Sequence, residues 1–253
     1  IEIAQGEVNL LKSLIENFNK RAYPTASSYL AIRLSDNKIL AEKDSTTPYG
    51  IASVTKLMSA IIATENSSPD ETIVLNEKML EPLGNSPVIF SGLKISSYNL
   101  IKATLIQSVN DAAESLSYFN DSFISLMNQK AKEIGMTNSV FYDAHGLNPN
   151  NRSTAADLAK MISYIHTNHP QLLEITRDNN FWLPDREGRL LKFCNVNNFY
   201  YLPSFIGGKT GYLPEALQTL ASLFNVNDEP VAIIILRSDN RQADLFSILR
   251  MIN

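Results

Sequence analysis

The chain has 253 residues, of which 44% are hydrophobic, so it is long enough to bury a substantial core. Its formal charge is −4 at pH 7 and no run of Lys or Arg stands out, so no basic field exists to hold nucleic acid. A single cysteine, Cys194, excludes an internal disulfide and a cysteine-based metal cluster, and no apolar run reaches the ~18 residues of a membrane span.

The N-terminal part of the chain predicts a helix, a β-hairpin and a second helix. Apolar residues recur at helical spacing near the N-terminus, at Leu10, Leu11, Leu14, Ile15 and Phe18. Residues 27–34 and 39–41 then predict two strands joined by the polar turn 35–38. The segment 48–50 contains Pro and Gly and interrupts the chain before an apolar helix predicted over 51–64.

Helical patterns fill the middle of the chain, and strand patterns return towards its end. Helices are predicted over residues 98–107, 111–119, 121–134 and 153–166. Strands are predicted over 190–193, 216–224 and 230–237, and a final helix over 241–251. Because strands lie near both ends, we expect an α/β fold with one sheet built from both ends, flanked by terminal helices.

We expect one folding unit over residues 1–253, because no repeat, low-complexity tract or flexible linker interrupts the chain. The sheet subdomain is expected over about residues 1–52 and 195–253. A helical subdomain over about residues 53–194 is inserted between these two parts.

Three short motifs follow one another along the chain: Ser53-Val54-Thr55-Lys56, Ser108-Val109-Asn110 and Lys209-Thr210-Gly211. They supply an activatable serine, a polar wall for proton relay and a cationic strand, which an acyl-transfer site on a peptide or lactam carbonyl needs. Each motif alone is weak, since Ser-x-x-Lys also occurs at 35–38 and 91–94. The first of these lies in the predicted turn, and the second is split by Gly92.

The first two motifs predict a nucleophile with its base and a relay opposite them. Ser53 and Lys56 are three residues apart, so they share one face of the predicted helix. Ser53 near the helix N-terminus feels a dipole that favours a developing alkoxide, and a desolvated Lys56 can take its proton in the neutral form. Ser108 and Asn110 fall between two predicted helices, where they would relay a proton and hold the substrate amide.

The third motif lies in the glycine-rich segment 207–211, which precedes two predicted strands. Its glycines would let a substrate backbone lie along a sheet edge, while Lys209 supplies positive charge and Thr210 a hydroxyl for a carboxylate. A phosphate-binding loop is excluded, because that motif needs Gly six residues before the Lys and Pro203 stands there.

In this order, the motifs are those of class A β-lactamases and penicillin-binding proteins. The chain resembles the serine D-alanyl-D-alanine carboxypeptidases, the low-molecular-mass penicillin-binding proteins, over nearly its whole length. Five segments carry the resemblance, at residues 51–58, 107–113, 145–147, 153–159 and 208–212. It implies a β-lactamase/transpeptidase-like fold, peptidoglycan stem peptides as substrates, β-lactam antibiotics as covalent inhibitors, and no cofactor or metal.

The resemblance also implies a role for each matching residue around the nucleophile. Ser53 would be acylated, with Lys56 as its general base. Ser108 and Asn110 would complete the proton relay and hold substrate. The backbone N–H groups of Ser53 and Tyr212 would form the oxyanion hole.

Further matches imply a site for the substrate carboxylate and an exported protein. Lys209 and Thr210, followed by Gly211, would bind near the terminal carboxylate, and Arg241 at the start of the last helix would help to hold it. The family implies cell-wall and cell-shape functions outside the cytoplasm, with a signal segment that is not in this chain. Membrane anchoring is left open.

Three positions depart from the family pattern, and two other functions compete with the peptidase. Val109 stands where Gly is usual, and Leu213 and Leu217 stand where Thr and Gly are usual, so we expect bulk there to narrow the groove. A class A β-lactamase needs a Glu roughly 35 residues after Asn110, and the region around 145–150 has none. A non-catalytic peptidoglycan-binding homologue is the other alternative, and the three departures are the only features that favour it.

Overall fold

The structure is a computed structural model that describes residues 23–253 apart from Leu83, Asn85 and Pro87. Strands from both ends of this part of the chain form one antiparallel sheet of five strands. Their order across the sheet is β2 (Lys38–Lys43), β1 (Ser28–Arg33), β11 (Glu229–Ser238), β10 (Leu217–Val226) and β9 (Phe205–Leu213). The predicted antiparallel sheet from both chain ends is therefore confirmed.

Seven α-helices lie between and after these strands in the described residues. They are α1 (Thr55–Asn66), α2 (Ser97–Ile106), α3 (Asn110–Ser117), α4 (Phe123–Glu133), α5 (Ala155–Asn168), α6 (Pro170–Ile175) and α7 (Arg241–Ile252). The predicted helix around residues 10–18 lies outside the described residues. No helix in the described part is long and apolar enough to span a bilayer.

Short strand pairs complete the helical half of the molecule. They are β3 (Tyr49–Gly50) with β6 (Arg152–Ser153), β4 (Thr72–Val74) with β5 (Lys94–Ser96), and β7 (Asn180–Pro184) with β8 (Leu190–Cys194). The predicted strand at 190–193 is therefore present, but it belongs to a separate hairpin and not to the main sheet.

Local sequence signals explain where several elements begin and turn. In the β1–β2 turn, the Asp36 carboxylate accepts the Lys38 N–H at 3.0 Å and Asn37 has a φ of 57°. Ser96 and Thr154 cap α2 and α5 by accepting backbone N–H groups of their first turns. The Ser35–Lys38 match to the nucleophile motif therefore lies on an exposed turn, as predicted.

The main sheet has an apolar layer on each face, because successive side chains of a strand point to opposite faces. On β11, Ile233 and Ile235 pack with Leu245 and Ile248 of α7. Ile234, between them, belongs to the larger core formed with the inserted helices. One face of the sheet thus packs against α7, and the other face packs against the helical region.

Candidate functional site

Ser53 lies in a 3-10 turn, Ala52–Val54, which leads directly into α1. The sequence placed it in the first α-helical turn, so the structure moves it one turn earlier. Ala52 has a φ of +48°, in the left-handed region that L-residues seldom adopt. Strain of this kind is typical of sites where a side chain must be held in one direction.

Two glycines allow other chain segments to approach the Ser53 turn closely. A Cβ at Gly146 would lie 2.1 Å from the carbonyl oxygen of Ala52, and Gly146 has a φ of +87°. A Cβ at Gly211 would lie 2.9 Å from the backbone nitrogen of Ser53. Larger residues do not fit at either position, so these glycines bring the 145–147 segment and β9 against the nucleophile.

Lys56 is fully buried and contacts the second motif as well as the first. Its Nζ lies 3.1 Å from Ser53 Oγ and 2.7 Å from Asn110 Oδ1, and it also donates to the carbonyl oxygen of His145. Burial lowers the pKa of Lys56 to about 7, against the opposing effect of the Asp143 carboxylate. A neutral amine is therefore accessible beside a serine hydroxyl near neutral pH.

These contacts fix the direction of the lone pair on a neutral Lys56. An uncharged amine has two N–H donors and one lone pair, whereas a carbonyl oxygen only accepts. The Asn110 and His145 oxygens take the two N–H groups. The remaining lone pair then faces the Ser53 hydroxyl, which is the arrangement that a general base needs.

The second motif begins α3 at the opposite wall of the site. Asn110 is the first residue of α3 and binds Lys56, and Ser108 precedes it with a φ of +61°. Val109 is 5% exposed and packs in the main core. The side chain of Val109 is therefore part of the core, and its effect on the substrate groove stays a prediction.

The third motif lies within β9, the edge strand of the sheet, and not ahead of the strands as the sequence suggested. Lys209 is fully buried, and its Nζ donates to the Thr210 carbonyl oxygen at 2.9 Å. Burial lowers the pKa of Lys209 well below its usual range, and the charges of Lys56 and Arg241 act in the same direction. Three basic side chains, Lys56, Lys209 and Arg241, therefore lie close enough together for the first and third to lower the pKa of Lys209.

Arg241, at the start of α7, reaches the same strand. Its Nη1 donates to the Gly211 carbonyl oxygen at 2.8 Å, and burial lowers the pKa of Arg241 to about 10. Thr210 is 5% exposed, whereas Tyr212 is 60% exposed. All residues predicted from the third motif, with Arg241, thus lie on or against β9.

The two leucine departures lie at the far end of β9. Leu213 and Leu217 pair with each other across the turn that joins β9 to β10. Leu217 has a φ of +53°, a conformation that suits the glycine usual in the family pattern. Their effect on substrate range stays a prediction.

Sequence reasoning missed the residue that organises the loop opposite Ser53. The Asp143 carboxylate accepts N–H groups from the backbones of His145 at 3.1 Å, Gly146, and Asn148 at 2.6 Å, and from the Asn151 side chain at 2.7 Å. An Asp two residues before a turn is a signal for such local bonds. Its nearness to Lys56 is a tertiary fact that local sequence does not contain.

The site offers acyl-transfer groups rather than ligands for a metal. Within residues 23–253, outside the three positions left undescribed, no cluster of three His, Cys, Asp or Glu side chains is arranged for a metal ion. His145 meets Lys56 through its backbone carbonyl. Lys56, and not the His145 ring, is therefore the basic group that contacts the Ser53 hydroxyl, and the histidine belongs to the loop.

Comparison with known proteins gives consistent matches. A family model described as D-alanyl-D-alanine carboxypeptidase matches residues 17–240. The D-alanyl-D-alanine endopeptidase of Haemophilus influenzae is 34% identical over 149 residues, covering 56% of this chain and 51% of that protein. The D-alanyl-D-alanine carboxypeptidase DacC of Escherichia coli is 31% identical over 193 residues, covering 68% and 48%. The chain thus spans about half the length of these two relatives.

Solved structures show the same fold. The crystal structure of a D-alanyl-D-alanine carboxypeptidase from Mycobacterium tuberculosis H37Rv superposes with a TM-score of 0.84 at 22% identity, covering 91% of each chain. Penicillin-binding protein D2 from Listeria monocytogenes, in a cefotaxime-bound form, has a TM-score of 0.76 at 25% identity. That match covers 92% of this chain and 98% of the other. The β-lactamase/transpeptidase-like fold is thereby confirmed.

Proposed function

Because the chain belongs to the D-alanyl-D-alanine carboxypeptidase family, we propose that it is a serine D,D-peptidase. It removes the terminal D-Ala from peptidoglycan stem peptides through an acyl-enzyme on Ser53, and β-lactams acylate the same serine. The observation that carries this proposal is the Lys56 Nζ at 3.1 Å from Ser53 Oγ, with two carbonyl oxygens accepting from the same amine.

In the proposed reaction, the contacts of Lys56 with Ser53 and Asn110 support the first step. Neutral Lys56 takes the proton of Ser53 Oγ as the oxygen attacks the carbonyl carbon between the two D-Ala residues. The backbone N–H groups of Ser53 and Tyr212 stabilise the oxyanion. Ser108 passes the proton to the departing amine while Asn110 holds the substrate amide. Water then hydrolyses the ester and restores Ser53.

The basic side chains on and beside β9 suit the free carboxylate of the substrate. Lys209 is buried and Arg241 donates along the strand, so both lie where water competes poorly with a carboxylate. Thr210 adds a hydroxyl, and β9 is a sheet edge at which an extended peptide can lie. This supports Lys209, Thr210, Gly211, Tyr212 and Arg241 as the residues that bind substrate.

Arg241→Ala tests the carboxylate site directly. Removing one partner of a desolvated charge pair costs about 2–5 kcal/mol, and 1.4 kcal/mol is tenfold. We expect kcat/KM for a free-acid tripeptide to fall by roughly 30-fold or more, and kcat/KM for its C-terminal amide to fall far less. Steady-state assays on both peptides measure this. Equal losses would remove Arg241 from the carboxylate site and leave Lys209 and Thr210.

The acylation rate should depend on pH through Lys56. Its neutral form is the base, and its pKa is lowered by burial to about 7. The rate should therefore rise about tenfold per pH unit below 7 and level off above it. Stopped-flow acylation by a chromogenic cephalosporin from pH 5 to 9 measures this profile. Its rising part below pH 7 is the acid limb, and its level part above pH 7 is the plateau. A rate that is flat from pH 5 to 7 would contradict a lysine base.

Two assays on the purified protein test the activity itself. A fluorescent penicillin should label the chain covalently, and diacetyl-Lys-D-Ala-D-Ala should release D-Ala. A chain that neither labels nor releases D-Ala is the non-catalytic homologue. Rapid release of hydrolysed β-lactam would instead indicate a β-lactamase.

An endopeptidase is a second candidate, since relatives from Haemophilus influenzae and Escherichia coli bear that name. Cross-linked dimeric stem peptide, assayed beside the pentapeptide, separates the two activities. We further propose that residues 1–253 act as one catalytic domain outside the cytoplasm, where peptidoglycan lies. The unbroken sheet, with strands from both ends of the described chain, supports a single unit.

A further inference from the structure

The loop that faces Ser53 is organised by one carboxylate that the proposed reaction does not use. Asp143 accepts three backbone N–H groups from residues 145–148 and one from the Asn151 side chain. We propose that Asp143 is a positioning residue for the general base. It fixes the His145 carbonyl that receives one N–H of Lys56 and places a negative charge beside that amine. This inference rests on the proposed function.

The loop is tied to the nucleophile turn from both sides. The Asn151 side chain that donates to Asp143 also donates to Thr55 Oγ1 at 3.2 Å, and the Asn151 carbonyl accepts the Ile51 N–H at 3.1 Å. A shift of the Asp143 carboxylate would therefore move the His145 carbonyl relative to Lys56. The lone pair of Lys56 would then lose its fixed direction towards the serine.

The charge of Asp143 also affects the pKa of Lys56, in the direction opposite to the effect of burial. Titratable groups reach this amine from two neighbouring elements: Asp143 and His145 from the loop, and Lys209 from β9. Burial lowers the pKa of Lys56, and the Asp143 carboxylate raises it by favouring the ammonium. Asp143 thus fixes the direction of the Lys56 amine. Its charge also lowers the fraction of that amine that is neutral at lower pH.

Asp143→Asn separates these two effects. The amide keeps one acceptor oxygen but loses the charge, so the plateau acylation rate should fall by roughly tenfold, a fraction of the ~10²–10⁴-fold that general-base catalysis typically contributes. The acid limb of the rate should move to lower pH by about one unit, because the pKa of Lys56 falls when its counter-charge is removed. A purely structural residue would lower the plateau without moving the limb.

Two further variants isolate the cause. Asp143→Glu keeps the charge but displaces it, so the plateau should fall while the limb stays. Asp157→Asn is the matched control, because Asp157 is a buried carboxylate that likewise holds a loop, through the Asn138 N–H at 2.8 Å and the Ser139 hydroxyl at 3.0 Å. Its loss should leave the limb unchanged.

Acylation by a chromogenic cephalosporin gives the rate profiles, and NMR titration of ε-¹³C-lysine, with Lys56→Arg for assignment, gives the pKa of Lys56. A downward shift in Asp143→Asn alone supports the proposal. An unmoved limb, an equal shift in Asp157→Asn, or failure of both Asp143 variants to fold overturns it. If the wild-type protein is never acylated, the proposed function fails, and the lysine titration alone decides whether Asp143 acts on Lys56.

Discussion

We expect Ser53→Ala to abolish both covalent labelling by penicillin and release of D-Ala, with a loss on the order of 10⁶-fold in rate. The reason is that Ser53 Oγ is the oxygen that the buried Lys56 reaches, at 3.1 Å. Without this oxygen the acyl-enzyme cannot form, while the backbone donors around the site stay in place. Intact-mass spectrometry after incubation with penicillin measures the adduct.

A matched control comes from another serine of the same short pattern. Ser35 also precedes a lysine by three residues, but it lies on the exposed β1–β2 turn. Ser35→Ala should therefore label and hydrolyse like the wild-type protein. A penicilloyl adduct on the Ser53→Ala protein would show that another residue is the nucleophile.

Lys56→Arg should be nearly inactive although the positive charge is retained. A guanidinium does not deprotonate at any pH of interest, so it cannot take the serine proton. General-base catalysis is worth about 10²–10⁴-fold, which is the loss expected in the acylation rate. The rate of labelling by fluorescent penicillin, followed with time at pH 8, measures it.

Circular dichroism shows whether the Lys56→Arg protein is folded, since a longer side chain must fit a fully buried position. Lys94→Arg provides the comparison, because Lys94 also follows a serine by three residues but is exposed on β5. It should label normally. A folded, active Lys56→Arg protein would rule out Lys56 as the base.

The sheet and most helices follow from local sequence because their signals are local. A continuous apolar run over residues 231–236 predicts β11, and a polar turn with Asn37 predicts the β1–β2 hairpin. The strand β9 was less evident, because Gly207, Gly208 and Gly211 weaken a strand pattern. Those glycines are explained only by tertiary contacts, such as the approach of Gly211 to the Ser53 backbone.

Two elements of the helical region escaped prediction for similar reasons. The strand β7 (Asn180–Pro184) begins and ends with residues that are unfavourable in strands. The helix α6 (Pro170–Ile175) has six residues and begins at a proline, which resembles a simple break in the chain. Both are held by contacts with neighbouring elements rather than by their own propensity.

The site was predicted as a set of residues but not as a geometry. The three motifs named Ser53, Lys56 and Asn110, yet the sequence gives no reason to expect the His145 carbonyl, 89 residues away, as a partner of Lys56. Asp143 was missed for the same reason. The chemistry of a short motif is local, whereas the environment that sets a pKa is assembled from distant segments.

The burial of Lys56 has a consequence for the thermodynamic stability of the protein. The unfolded chain holds this amine at its ordinary pKa of 10.5, whereas burial in the folded state lowers that pKa to about 7. The unfolded state therefore binds the extra proton between these values, and the folded state is destabilised on the order of 4 kcal/mol at pH 7. This penalty is complete below the folded pKa and disappears as the pH rises through the unfolded one.

An inactive Lys56→Met protein should then melt at a higher temperature than the wild-type protein at pH 7, with the difference shrinking towards pH 10. Thermal unfolding at the two pH values measures this, and a lower melting temperature for Lys56→Met at pH 7 would contradict it. The burial that makes a neutral amine accessible beside Ser53 thus lowers the resistance of the folded protein to heat.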